Sequence, residues 1–203
     1  MKFKKLGFGL STLATLSVMP ISSFVTMPLV LNQPVYAQAI YGAIYDKWVS
    51  LGGYSSPVGS PTTDELPAAR GGRYNEFQNG YIYWLPSLGA HAVYGYIGVK
   101  WNQLGRENGL GYPITDELPA DNGGRFNDFE NNASIYWHPS IGAYAVYGDI
   151  RTKWVSMGRE RSVLGYPISD EQPVGTAGQR VSYFQRGALY WNSFTREVVA
   201  TYN

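Results

Sequence analysis

The chain has 203 residues, of which 44% are hydrophobic and 15% charged, and it contains 24 glycines, 12 prolines, 17 tyrosines and 6 tryptophans. This composition excludes a disordered tail and a helical bundle rich in lysine and glutamate, and it predicts short elements joined by tight turns. Because the chain has no cysteine, disulfides, thiolate metal sites and a cysteine nucleophile are excluded as well.

The first 37 residues have the pattern of an export signal. Three lysines lie within Met1–Lys5, no charged side chain follows until Asp46, and Val35-Tyr36-Ala37 resembles a cleavage site. We therefore predict a signal peptide over residues 1–37 and a mature protein in the periplasm, the cell wall or the medium. Contact with a membrane is expected only if the leader is not cleaved. Without the leader the chain has 13 basic and 15 acidic side chains, so a nucleic-acid partner is not expected.

One unit of 53 residues recurs three times in the rest of the chain, a period typical of an array of small structural units. The recurring groups are Lys47-Trp48, Lys100-Trp101 and Lys153-Trp154, then Asp64-Glu65, Asp116-Glu117 and Asp170-Glu171, then Arg73, Arg125 and Arg180. We predict repeats over residues 41–93, 94–146 and 147–203, the last with an atypical C-terminal end that acts as a cap.

Each copy begins with apolar residues at helical spacing, which in the first copy are Ile40, Ile44, Trp48 and Leu51. Gly52 follows, where a left-handed helix C-cap favours glycine, so we predict a short helix of about ten residues. The repeated lysine lies beside this apolar stripe, and we expect it to reach solvent.

Later in each copy the apolar period changes to two, as in Ile82-Tyr83-Trp84, which indicates strands. Asn79-Gly80 predicts a two-residue hairpin turn, and Pro86-Ser87-Leu88-Gly89 predicts a second turn before the next helix. The fold class is therefore α+β: three tandem repeats, each a short helix plus two or three antiparallel strands, stacked as a compact array. A closed ring is the alternative.

The Tyr-Trp pairs of these strands suggest carbohydrate binding, because flat aromatic faces stack on sugar rings. Alternation along a strand sends only one member of each pair inward. We expect the tryptophan in the core and the tyrosine partly exposed and available to a ligand, at Tyr83, Tyr136 and Tyr190.

The Asp-Glu pairs are the first candidates for catalysis, because glycoside hydrolysis needs two carboxylates. Neighbouring side chains of an extended segment point apart, however, and a hydrolase needs one asymmetric cleft rather than three copies. We expect the aspartates to bond backbone amides in the local turn and the glutamates to pair with the repeated arginine. The alternative is contact with sugar hydroxyls. The candidate ligand contacts are Asp64, Asp116 and Asp170 with Arg73, Arg125 and Arg180.

The two histidines, His91 and His138, occupy different positions of the repeat, so neither belongs to a repeated metal site. With no cysteine and no paired histidine spacing, we predict no metal and no cofactor. No nucleophile elbow or phosphate-binding loop occurs either.

The segments Leu110-Gly111-Tyr112-Pro113 and Leu164-Gly165-Tyr166-Pro167, each followed closely by Asp-Glu, resemble the signature of LGFP repeats. Val58-Gly59-Ser60-Pro61 is a degenerate copy of it. The resemblance implies an exported bacterial protein; in this family the array often follows a mycolyltransferase or an amidase domain and is thought to attach it to cell-wall polysaccharide. Tyr112 and Tyr166 complete the candidate ligand-binding residues.

We therefore predict a secreted, non-enzymatic module that binds or anchors to cell-envelope polysaccharide through weak, repeated contacts. Two alternatives stay open. One is a structural module or one that binds another secreted protein, and the other is a hydrolase of wall glycan.

Overall fold

The computed structural model describes residues 38–175 and 178–203. The predicted signal peptide lies outside the described residues. Within them, no helix is both long and apolar enough to cross a membrane.

Each copy consists of one helix followed by a four-stranded antiparallel sheet, in agreement with the predicted α+β repeats. The helices are α1 Gly42–Ser50, α2 Gly95–Gln103 and α3 Gly148–Met157. The strands of the first sheet are β1 Leu66–Pro67, β2 Arg73–Phe77, β3 Gly80–Leu85 and β4 Gly89–Tyr94. Those of the second are β5 Leu118–Pro119, β6 Arg125–Phe129, β7 Ala133–His138 and β8 Gly142–Tyr147. Those of the third are β9 Gln172–Pro173, β10 Gln179–Phe184, β11 Gly187–Asn192 and β12 Val198–Tyr202. The short first strand of each sheet adds one strand to the two or three predicted.

The turns lie close to their predicted positions. Gln78 and Asn79 form the loop between β2 and β3, and Gly80 is the first residue of β3, so the hairpin turn is shifted by one residue from the prediction. The turn before Gly89 is confirmed. In the third copy β12 completes the sheet beside β11, with a loop over residues 193–197 in place of that turn.

The helices have the predicted stripe and the predicted ends. Ile44 and Trp48 of α1 are buried, and Gly52 has a φ of 110°, the left-handed conformation that glycine adopts without steric cost. The indole Nε1 of Trp48 donates to the carbonyl of Gly59 at 3.0 Å, which fixes the helix against the signature segment. Trp101 and Trp154 donate in the same way to Gly111 and Gly165.

Each of the first two sheets is a middle layer, with its own helix on one face and the helix of the next copy on the other. Ile82 packs with Trp48 of α1, whereas its neighbour Tyr83 lies on the opposite face with Trp101 of α2, at 4.8 Å between ring centroids. Both faces are therefore buried, as in sheets covered by helices on two sides.

This layering makes the prediction of a partly exposed tyrosine wrong in the first two copies, and the prediction of a core tryptophan wrong in all three. Tyr83 and Tyr136 are each 1% exposed, because the next helix covers their face. The half-buried members are the tryptophans, Trp84, Trp137 and Trp191. Tyr190 is half-buried, on the sheet that no further helix of the described chain covers.

Aspartates of the Asp-Glu pairs join successive copies. Asp116 accepts hydrogen bonds from Lys47 Nζ at 2.6 Å and from the backbone N–H of Ala92 at 2.9 Å, both in the first copy. Asp170 has the same contacts, with Lys100 and Ala145. The expectations of a local turn contact for the aspartate and of a solvated lysine are therefore wrong at these sites, because the neighbouring copy supplies both partners. In the first copy, Asp64 accepts from the N–H of Ala39; in the third, Lys153 is exposed.

The signature tyrosines are a second junction between copies. Tyr112 is buried, and its hydroxyl donates to the carbonyl of Ala69 in the copy before it. Gly72 makes room for this hydroxyl, since a Cβ there would overlap it. Tyr166 and Gly124 repeat the arrangement, with the carbonyl of Asp121 as acceptor.

Candidate functional site

A small cleft lies beside the half-buried tryptophan of the first copy and of the third, at the N-terminal end of the helix. We call these two clefts, together with the equivalent surface beside Trp137 of the second copy, the Trp clefts. In the first copy the cleft has a volume of about 240 Å³ and in the third about 170 Å³. The residues that form the first cleft are Tyr41, Gly42, Ala43, Ile44, Glu65, Arg73 and Trp84. Their counterparts, Tyr147, Gly148, Asp149, Ile150, Glu171 and Trp191, form the third.

The sheet register brings the tryptophan and the arginine of each cleft together. Arg73 on β2 is directly opposite Trp84 on β3, and Arg73 Nε donates to Glu65 Oε1 at 2.8 Å. The pairs Arg125–Trp137 and Arg180–Trp191 have the same register. Arg180 donates to Glu171, and Arg125 lies 3.8 Å from Glu117. The predicted pairing of the glutamate with the repeated arginine is thus confirmed in all three copies.

The acids of the clefts are partly desolvated. Burial raises the pKa of Glu117 and of Glu171, although Arg125 and Arg180 act in the opposite direction. Burial and the charge of Glu117 together raise the pKa of Tyr94, the cleft tyrosine of the second copy, to about 12. Near neutral pH Tyr94 is therefore a neutral phenol beside the Glu117–Arg125 pair.

The adjacent aspartate is engaged elsewhere. Burial alone would raise the pKa of Asp116, but the nearby His91, 3.6 Å away, and hydrogen bonds from Lys47 and the N–H of Ala92 hold it at about 2. Because Asp116 is directed to the neighbouring copy and Glu117 to Arg125, the two carboxylates do not form a shared acid-base pair of the kind that glycoside hydrolysis uses.

One variable residue makes the three clefts unequal. It follows the first glycine of each helix and is Ala43, Tyr96 or Asp149. Tyr96 stacks on Trp137, with ring planes 6° apart and centroids at 5.7 Å. Asp149 Oδ2 accepts a hydrogen bond from the indole Nε1 of Trp191 at 2.9 Å. Ala43 places only a methyl group at this position, so the first copy has neither the stacked ring of Tyr96 nor the carboxylate of Asp149 beside its tryptophan.

The structure brings some of the predicted ligand residues into the clefts and places others outside. Arg73 lines the first cleft, and Arg125 and Arg180 occupy the equivalent positions opposite Trp137 and Trp191. Asp116 and Asp170 lie at the junctions between copies, and Asp64 accepts from the N–H of Ala39. The rings of Tyr83, Tyr136, Tyr112 and Tyr166 are buried and cannot stack on a ligand. The residues missed were the strand tryptophans, the glutamates and Tyr41, which is 63% exposed. These residues recur together with the arginine at spacings of 52 to 55 residues, and this shared recurrence is the signal that could have grouped them.

Neither histidine takes part in a cleft. His91 Nε2 is 3.2 Å from the carbonyl of Leu88, and His138 Nε2 is 3.0 Å from that of Asn122. Among the described residues no group of three or more His, Asp or Glu side chains is arranged to hold a metal ion.

The family model of the LGFP repeat matches residues 58–109, 110–162 and 164–201. The chain belongs to the LGFP repeat family. Each of the first two matched LGFP repeats contains the sheet of one copy and the helix of the next, the elements that share one hydrophobic core.

Other comparisons add little to the LGFP assignment. No curated protein has a significant match to the chain. Among solved structures, an extracellular domain from B. thetaiotaomicron is similar over 70% of this chain and 16% of its own, with 11% identity and a TM-score of 0.20. That likeness carries no argument about fold or function.

Proposed function

We propose that this protein is an exported, non-catalytic LGFP-repeat module that attaches to cell-envelope polysaccharide through its Trp clefts. The observation that carries the proposal is the cleft of the first and third copies, formed by a half-buried tryptophan, a tyrosine and an Arg-Glu pair whose residue types recur at the equivalent positions of the second copy. Membership of the LGFP family supports export to the envelope.

The chemistry of the cleft suits a sugar ring. The tryptophan at the edge of the cleft offers a flat apolar face to the C–H side of a pyranose ring, and the exposed Tyr41 can form the opposite wall. Arg73 donates to hydroxyl oxygens, and Glu65 accepts from hydroxyl groups. Because the salt bridge between Arg73 and Glu65 is formed without a ligand, little side-chain ordering remains to oppose binding.

Three such clefts at a fixed spacing favour attachment to a polymer. The Lys-Asp bridges and the tyrosine junctions hold each copy against the next, so the clefts do not reorient independently. A polysaccharide with repeated residues can occupy several clefts together, and weak single contacts then add to firm attachment.

Sedimentation of the purified protein with purified cell walls tests the proposal. We expect the wild type to sediment with the walls. Trp84→Ala should weaken retention about three- to tenfold, the change in affinity that the loss of one aromatic contact produces. Phe194→Ala is the matched control, because Phe194 is 82% exposed and lies outside the clefts. Recovery of the wild type only in the supernatant contradicts the proposal. If the wild type releases reducing sugar from the walls and Glu65→Gln does not, the proposal that the module is non-catalytic is wrong.

A further inference from the structure

A groove of about 550 Å³ lies between the β2–β3 turn and one side of α2; we call it the α2 groove. Its lining includes Glu76, Asn79, Tyr81, Gly98, Val99 and Asn102. Tyr96, which stacks on Trp137, also lines the groove, so the α2 groove borders the Trp cleft of the second copy, but none of the six residues just named belongs to that cleft.

In the second copy the equivalent position is filled by Arg151 of α3. Its guanidinium donates from Nε to Ser134 Oγ at 2.6 Å, from Nη1 to Asn132 Oδ1 at 2.7 Å and from Nη2 to Asp128 Oδ1 at 2.9 Å. The side chain of Arg151 is 14% exposed. Three acceptors thus surround one nearly buried guanidinium.

The first copy keeps all three acceptor positions and lacks the arginine. The register of the sheets and the matching backbone bonds from Gly95 to Asn79 and from Gly148 to Asn132 align the two copies. The counterparts are Glu76 for Asp128, Asn79 for Asn132 and Tyr81 for Ser134. Gly98 stands where α3 has Arg151. The α2 groove therefore has polar side chains at the three equivalent positions and no arginine from the helix, although Tyr81 is larger than Ser134 and its hydroxyl also accepts from Arg106.

The charge balance of the two copies differs accordingly. Asp128 pairs with two guanidiniums, those of Arg151 and Arg159. Among the described residues Glu76 pairs with one, that of Arg106, whose Nη1 is 3.0 Å from Glu76 Oε1 and whose Nη2 donates to the hydroxyl of Tyr81. A second cation in the groove would restore the charge pattern of the second copy.

We propose that the α2 groove binds the arginine side chain of a partner protein, with the guanidinium against Glu76, Asn79 and Tyr81. The aliphatic part of that side chain lies along Val99, which is exposed. Arginine is favoured over lysine because its planar fork donates in several fixed directions, as Arg151 does in the second copy. The protein would then hold polysaccharide by its Trp clefts and a protein partner by the α2 groove.

An NMR titration of the purified protein with N-acetyl-arginine amide tests this assignment. We expect chemical-shift changes at residues 76–81 and 95–102, and at least a fivefold weaker response with N-acetyl-citrulline amide, which has the same shape and no charge. Glu76→Gln should weaken binding by a similar factor. Equal binding of the citrulline probe, unchanged binding by Glu76→Gln, or a preference for glucosamine over the arginine amide overturns the proposal.

The second copy offers a matched variant. Arg151→Gly removes the guanidinium from its three acceptors, so the arginine amide should produce a second set of shifts, around Asp128, in addition to the first. The absence of that second set from a folded variant contradicts the proposal. Because Glu76→Gln changes no buried apolar group, it decides the question if Arg151→Gly does not fold. Wall sedimentation of Glu76→Gln should equal that of the wild type, so failure here is distinguishable from failure of polysaccharide binding.

Discussion

At the scale of residues, the signature tyrosine illustrates how a contact between copies determines a sequence motif. Tyr112 and Tyr166 each reach a carbonyl in the copy before them, and Gly72 and Gly124 give their hydroxyls space. The third copy has Gln179 at the glycine position. Among the described residues, no signature tyrosine of a following copy packs against Gln179.

This pairing predicts that Gly72→Ala lowers the free energy of unfolding by about 1–3 kcal/mol, because the new methyl group overlaps the Tyr112 hydroxyl and the carbonyl of Trp84. Urea denaturation followed by tryptophan fluorescence measures the change. Gln179→Ala is the control and should alter stability by less than about 0.5 kcal/mol. Equal effects of the two substitutions would refute the pairing.

At the scale of elements, the helix, the sheets and the turns were predictable because their signals are local: a stripe ending at glycine, an alternating run, a proline-serine turn. The orientation of Tyr83 and Trp84 was not, because alternation assumes that one face of the sheet is solvated. Here both faces are covered. No polar residue interrupts the apolar run over Ile82–Leu85, and such a run is typical of a strand that is buried on both faces. This run was the feature of the sequence that could have predicted the orientation.

The junction between Asp116 and the first copy predicts a dependence of stability on pH. The folded-state pKa of about 2 is below the ordinary value of 3.8, so the ionised form stabilises the fold. That contribution is complete above about pH 4 and is lost as the pH falls towards 2, an effect of about 1–2 kcal/mol.

Urea denaturation at pH 5, 3 and 2 measures this effect. We expect Asp116→Asn to lose less stability between pH 5 and 2 than the wild type does. Asp64→Asn is the matched control, because Asp64 is the exposed counterpart in the first copy. A wild-type pH dependence in Asp116→Asn would show that this carboxylate is not the group responsible.

At the scale of the whole molecule, the copies share a fold but not a surface. The residues of the junctions and of the Trp clefts recur with the period, yet the surroundings of each tryptophan depend on Ala43, Tyr96 and Asp149, and Gly98 stands in the α2 groove where α3 has Arg151. These positions vary between copies, so a search for repeated residues passes over them. Repetition identifies the shared scaffold, and departure from it identifies where the surfaces of the copies differ.

The most direct test of the account compares three variants in their affinity for soluble envelope polysaccharide by biolayer interferometry. We predict that Trp84→Ala weakens binding most, because Ala43 places only a methyl group beside its ring, and that Trp137→Ala weakens it least, because Tyr96 already covers that ring. The loss of affinity in Trp191→Ala should lie between the losses in the other two variants, because Asp149 binds only the indole N–H of Trp191. If all three variants bind as Phe194→Ala does, the Trp clefts are not the attachment sites.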